Sequence, residues 1–385
     1  MRTRFAVLAT LLVAACADPV DAPVAPAGRL TPSAAVDLVT SRLPRVGGVF
    51  TATNDAGANA VLAFDRAPDG TLTPAGSFPT GGAGIGGTTD PLFSQYSVAL
   101  SGNHHYLYVV NAGTDDISVF RVGESPRLEL VQRIASGGVR PVSLAVGTRA
   151  LYALNAGSST VTAFTIGSGS RLQPAPAWTR ALSAGASGPA EVRLSRDGRL
   201  LAVTERVSAT IDTYLVQPDG ALGTAIPNAS SGAAPFGFDY TNTGRLVVSE
   251  AGPGTASSYA AAGGVLHVRT ASAATLQRAP CWLVVTPDGR VAFTANAGSA
   301  TLTGFAVSPE GRLSLLVPSG VSADLGAGAA PLDLDVSADG RFVYVLKAGT
   351  GGIGALALAP DGSLTPLADT PATAPRSGQQ GIAAF

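Results

Sequence analysis

The chain has 385 residues, enough for two or three domains at about 150 residues each. Apolar residues make up 46% and charged residues only 13%, which excludes disordered, acidic and coiled-coil chains, all charge-rich and apolar-poor. The 25 basic and 26 acidic residues nearly cancel and Lys347 is the only lysine, so neither a nucleic-acid-binding field nor a polybasic membrane patch is expected.

Arg2 and Arg4 precede an uncharged run over residues 5–15 that ends Val13-Ala14-Ala15-Cys16. A basic start, a short apolar core and small residues predict a signal peptide over 1–15, too short to span a bilayer as a mature helix. The small residues before Cys16 are similar to a bacterial lipobox, which implies cleavage there and lipidation of the Cys16 thiol. That places the protein in the periplasm or cell envelope, with the outer membrane favoured because Ala17 rather than Asp follows. Residues 16–44 are rich in Ala and Pro and read as a tether; the folded domain is expected over 45–385. The only other cysteine is Cys281, so a lipidated Cys16 leaves no internal disulfide, and Cys281 is expected to be a buried structural residue.

From residue 45 onward one unit repeats: an apolar strand, a Gly-containing turn, an aromatic-aliphatic strand ending in a polar residue, and a third strand. The second strands end at Asn54, Asn111, Asn155, Glu205, Glu250, Asn296 and Lys347, at spacings of 57, 44, 50, 45, 46 and 51 residues. Such periods match four-stranded propeller blades, and there are seven copies. Turns such as Arg196-Asp197-Gly198-Arg199, Pro287-Asp288-Gly289-Arg290 and Pro218-Asp219-Gly220 predict hairpins, since Gly accepts the positive φ they need. The first copy, over 49–80, lacks its opening strand, and Gln380-Gly381-Ile382-Ala383-Ala384 stands spare at the end. An all-β, seven-bladed propeller closed by the C-terminal strand follows, and closure hides the sheet edges, so a monomer is expected.

Blade topology sorts residues by face. Turns between first and second strands, and between third and fourth, share one face. The other face gathers the second-strand ends, the blade-to-blade connections and the long segment 81–94. This connection face is the expected functional face. The Asn residues sit in Asn-Ala-Gly turns, where the side chain can bond the backbone two residues on. Glu205, Glu250 and Lys347 are poor turn formers and are expected at the channel mouth. Carboxylates there, Glu205, Glu191, Glu250 or Asp333, are the candidate general bases. Arg206, Trp282, Arg140, Gln95 and Gln380 join Glu250 as ligand-binding candidates. His104 and His105 belong to the opposite face and His267 to an outer strand. Gly82-Ala83-Gly84-Ile85-Gly86-Gly87 matches a dinucleotide-binding pattern in form, but no helix follows it. No zinc spacing is present and no cofactor or metal is expected, although Asn and Glu oxygens could hold Ca²⁺ or Mg²⁺.

Tyr108-Val109-Val110-Asn111-Ala112-Gly113, Ala279-Pro280-Cys281-Trp282, Thr80-Gly81-Gly82 and Val203-Thr204-Glu205-Arg206 together resemble the bacterial lactonase-like β-propeller family, whose relatives include 6-phosphogluconolactonase and carboxymuconate lactonizing enzymes. The resemblance covers about residues 45–385. Members with lactonase chemistry carry Gly-Pro-Arg-His and Asn-Glu-Leu where this chain has Gly188-Pro189-Ala190-Glu191 and Thr204-Glu205-Arg206. The resemblance therefore implies a role for Glu205 but brings no Arg-His pair. It points to hydrolysis of an uncharged or weakly charged lactone, with Glu205 activating water and Glu191 or Lys347 orienting the substrate or stabilising the oxyanion. The alternative is a non-catalytic envelope propeller that binds a ligand or a partner protein.

Overall fold

A computed structural model describes residues 47–123 and 127–385; the expected signal peptide, Cys16 and the expected tether lie outside the described residues. Seven antiparallel sheets stand in a ring, each with four strands in sequential order and three with a short extra segment pairing its third strand. We number the blades 1 to 7 from the N-terminus. The second strands are Gly47–Ala52, Tyr106–Asn111, Ala150–Asn155, Leu200–Glu205, Arg245–Glu250, Val291–Asn296 and Phe342–Lys347. They are buried on nearly every residue, because each blade is covered by a neighbour on both faces; this is why they read as continuous apolar runs.

Blade 1 takes its inner strand from Gln380–Ala384, with Val49 opposite Ala384, Phe50 opposite Ala383 and Thr51 opposite Ile382. The ring is closed by strand pairing between the two ends of the domain, as expected.

The Asp-Gly turns are hairpins with a second use. Asp197, Asp288 and Asp339 each accept the backbone N–H two residues on, at 3.1, 3.0 and 3.2 Å, and a hydroxyl at the head of the turn. Turns between third and fourth strands dock on the preceding blade: Tyr152 donates to the Gly220 carbonyl at 2.7 Å and Tyr344 to that of Gly70 at 2.9 Å. Gly70, at φ 87°, also lies where a β-carbon would strike the Phe342 ring, so it is held by both backbone and packing.

The inner strands, Val98–Leu100, Pro141–Val146, Pro189–Leu194, Pro235–Tyr240, Pro280–Val285, Pro331–Val336 and Gln380–Ala384, line the channel. Each presents an edge with unpaired N–H groups, and buried carboxylates satisfy several of them. Glu191 accepts from Phe238 N at 2.7 Å, Asp239 from Val285 N at 3.0 Å and Asp335 from Ala384 N at 2.8 Å. Asp333 reaches Tyr96 N at 3.1 Å. Each bond ties one blade to another, so these channel acids act as staples. Five inner strands start with proline after a left-handed residue, Arg140, Gly188, Ala234, Ala279 or Ala330, so the φ of 55° at Arg140 belongs to the architecture.

Candidate functional site

The second-strand ends form a ring of buried polar residues under the connection face, and the blades satisfy them differently. The Asn side chains do not make the local turn bond expected from sequence. Asn155 Nδ2 donates to Thr162 Oγ1 at 3.0 Å, Asn296 Nδ2 to Thr303 Oγ1 at 2.9 Å, and Asn111 Nδ2 to Ser118 Oγ at 2.9 Å. In each case the partner is seven residues on, across the hairpin on the third strand. Glu250 uses the same register in reverse: it accepts from Ser257 at 2.6 Å, Thr255 at 2.5 Å, Ser272 at 3.1 Å and Gly232 N at 2.7 Å. Lys347 is buried and ion-paired with Asp369.

Blade 4 breaks this logic. Seven residues after Glu205 stands Asp212, an acceptor facing an acceptor. Glu205 is fully buried, and neither of its carboxylate oxygens meets a hydrogen-bond partner; nor do Asp212 Oδ1 and Ser187 Oγ. The other Asp212 oxygen accepts Ser183 N at 2.7 Å. Burial and the neighbouring Asp212 push the Glu205 carboxyl up to about 8, with the Ser187 hydroxyl acting in the opposite direction. At neutral pH Glu205 holds a proton.

The roof over this pair also differs. A β-carbon on Gly82, Gly138 or Gly232 would collide with Asn111, Asn155 or Glu250, so those loops press on the residues beneath. From the last residue that pairs with the third strand to the next proline the chain takes six steps at Ala135–Pro141 and Ala229–Pro235, but eight at Ala181–Pro189. Within this loop, two residues longer, Gly185 has nothing within 4 Å of where its β-carbon would be. The cover of Glu205 is looser than that of its counterparts.

Segment 81–94 runs over the channel mouth beside blade 4. Asp90, Phe93 and Tyr96 have φ of 45°, 51° and 59°, a run of left-handed non-glycine residues. Asp90 is buried, accepts Gln380 Nε2 at 3.1 Å and leaves its other oxygen unpartnered. Burial raises its pKa to about 8, against Gln380 and the nearby Arg206. Arg206 stacks on Phe93 with Cζ 4.9 Å from the ring centre; burial lowers its pKa, helped by Arg140 and opposed by Asp90. The buried Nε atoms of Arg206 and Arg140 have no partner. Two groups of unpartnered buried polar atoms thus lie at blade 4 and beside it: Ser187, Glu205 and Asp212, and Asp90, Arg140 and Arg206. These orphan groups make blade 4 the candidate site.

Other candidates serve the scaffold. Trp282 is buried, packs edge-on to Phe236 at 5.1 Å and donates Nε1 to Ser94 O at 2.9 Å. Gln95 spans the channel to blade 6, donating to Leu283 O at 2.9 Å and accepting Leu283 N at 3.0 Å. Glu191 lies inside the channel with Arg193, Asp239 and Asp333, and burial raises its pKa well above the carboxylate range. Glu205, Glu191 and Lys347 each have separate surroundings, joined by no hydrogen bond or ion pair. Cys281 is buried and not a free thiol, unlike the unpaired cysteine expected from a lipidated Cys16. His104 stacks on Phe385 at the turn face, as expected. Among the described residues no group of three or more His, Cys, Asp or Glu is placed to hold a metal. Asp212 and Asp90 were not among the sequence candidates. Asp212 carried a readable signal, since Ser118, Thr162, Ser257 and Thr303 hold its place elsewhere.

Closed ring, stapled channel and one disturbed blade on the connection face define a seven-bladed β-propeller. The chain belongs to the family described as lactonase, 7-bladed beta-propeller, whose model matches residues 58–173 and 167–252. No curated protein matches it. Among solved structures it is similar to a candidate 6-phosphogluconolactonase from Bacteroides fragilis, at 17% identity and TM-score 0.69, covering 88% of this chain and 98% of that one. It is also similar to the periplasmic gluconolactonase PpgL of Pseudomonas aeruginosa, at 19% identity and TM-score 0.67, covering 87% and 98%. The virginiamycin B lyase of Staphylococcus aureus is more distant, at 11% identity and TM-score 0.51, covering 77% and 90%. Likeness at this identity establishes the fold. No helix among the described residues is long and apolar enough to cross a membrane.

Proposed function

We propose that the protein hydrolyses an uncharged or weakly charged lactone on the connection face at blade 4, without a cofactor, with Glu205 as the general base. The observation that carries this reading is the Glu205–Asp212 pair: a carboxylate left without donors, titrating near 8, at a position that Asn or a fully bonded Glu fills in other blades. Family membership supports the reaction class. The looser cover at Gly185 supports access for water and substrate. Ala190, buried where a clamping arginine would stand, supports a substrate of little charge. Arg206 and Arg140, with guanidinium N–H groups to spare, are suited to polarise the lactone carbonyl and hold the oxyanion.

A second reading, a non-catalytic envelope propeller that binds a ligand or partner protein, is favoured by the complete burial of Glu205. Titration of acid release from a panel of lactones separates the two, with the Glu205→Gln variant beside the wild type. Turnover that collapses in the variant supports the base; no turnover above the uncatalysed rate on any lactone supports the binding protein. We also propose export and anchoring through a lipid on Cys16. Mass spectrometry of the Cys16 peptide from membranes tests this: a diacylglyceryl thioether on that thiol supports anchoring, and an unmodified Cys16 peptide overturns it.

A further inference from the structure

On the turn face, opposite the proposed hydrolytic site, a cavity of about 410 Å³ opens on the propeller axis. Tyr96, Arg193, Asp239 and Asp335 line it, and Ser101, Gly102, His104 and Arg196 stand among the residues around it. Asp239 and Asp335 each accept the backbone N–H of the next residue and one from the neighbouring blade, which fixes the carboxylates and leaves lone pairs on them. Arg193 is not used up. Its Nε bonds Asp239 at 2.9 Å, and its guanidinium lies over the Tyr96 ring with Cζ 3.9 Å from the centre. Those two contacts fix its plane. Its Nη atoms take no hydrogen-bond partner among the described residues, and the side chain keeps 28% of its exposure while lining the cavity.

We propose that this axial cavity binds a small hydroxy acid carrying one carboxylate. A guanidinium held flat with its outer edge open matches a carboxylate bidentately. Asp239 and Asp335, on the same wall, offer acceptor lone pairs that suit hydroxyl donors and repel a second anionic group. The remainder of the ligand must therefore be hydroxylated and uncharged. A six-carbon sugar acid fits the volume. The cavity shares no residue with the blade 4 site, so this inference stands whether or not Glu205 is a catalytic base.

Calorimetric titration of the full-length protein with D-gluconate, glucitol and glucarate tests it, since the three differ only at the chain ends. The expected order is gluconate first, with glucitol and glucarate each weaker by about tenfold or more. Arg193→Lys keeps a charge but loses the fork, and should weaken gluconate at least tenfold. Gly102→Trp is a second variant that leaves Arg193 untouched. A β-carbon there meets nothing within 4 Å, so the variant should fold normally while narrowing the mouth, and gluconate binding should fall again. Glu205→Gln should bind gluconate like the wild type. The proposal is overturned if gluconate fails to bind, if glucitol binds as well, or if Gly102→Trp leaves the affinity unchanged.

Discussion

Blades 4 and 5 hold the same residue at the same place, and only one of the two is at rest. Glu250 is a carboxylate surrounded by donors: three hydroxyls and one backbone N–H converge on it within 3.1 Å. Glu205 faces Asp212 and finds no partner. The difference lies in one third-strand residue, Ser257 against Asp212, and in a roof loop two residues longer. A buried carboxylate is therefore fully hydrogen-bonded or left without partners according to what stands seven residues later. Burial alone does not decide it.

The largest expected effect is on turnover. Glu205→Gln should lower lactone hydrolysis by about 10²–10⁴-fold, the usual contribution of a general base, as read from initial rates of acid release. Glu250→Ala should act on stability instead. It strands Gly232 N and the hydroxyls of Thr255 and Ser257, and should cost about 3 kcal/mol in urea unfolding. Asp212→Thr turns blade 4 toward the pattern of its neighbours by giving Glu205 a hydroxyl donor. The rising limb of the pH–rate profile, expected near 8 in the wild type, should then move to lower pH. The smallest effects concern the roofs. Gly185→Ala should change stability by less than about 0.5 kcal/mol, whereas Gly232→Ala, which meets the Glu250 carboxylate, should cost about 1–3 kcal/mol.

Much of the fold was legible because it repeats. The aromatic-aliphatic second strands, the Asp-Gly turns and the spare C-terminal strand each recur or go missing once, and together they count the blades and close the ring. Topology also gave the end of the disc to which each residue belongs, so His104 and the second-strand ends fall where expected. It could not tell which way a side chain leaves its blade. Asn155 and Glu250 turn into hydrogen-bond networks with the third strand, which only strand register reveals. The staple role of Glu191 and Asp335 was hidden for the same reason: the N–H groups they serve lie some 47 and 49 residues away. Arg193 passed unnoticed, because nothing local in Val192-Arg193-Leu194 predicts an arginine buried beside a tyrosine from another blade. Asp212 is the opposite case. Its seven-residue offset was present in five copies, and aligning third strands as well as second strands would have found it.

The central claim is that Glu205 is held protonated at neutral pH by its burial and by Asp212 across the hairpin. Its folded pKa, about 8, lies above the ordinary 4.5 of an unfolded glutamate, so the folded state binds the extra proton in between. Wild-type stability attached to this group is complete below about 4.5 and is lost as pH rises through about 8. Glu205→Gln does not titrate and can donate to Asp212 at every pH. Urea unfolding of the two proteins between about pH 4 and 9 tests this without knowledge of any substrate. The predicted result is near-equal stability at the acid end and a gap that widens in favour of the variant by about 1.4 kcal/mol per pH unit between the two pKa values, reaching several kcal/mol. A gap that is constant with pH, or that widens toward acid, would contradict the account.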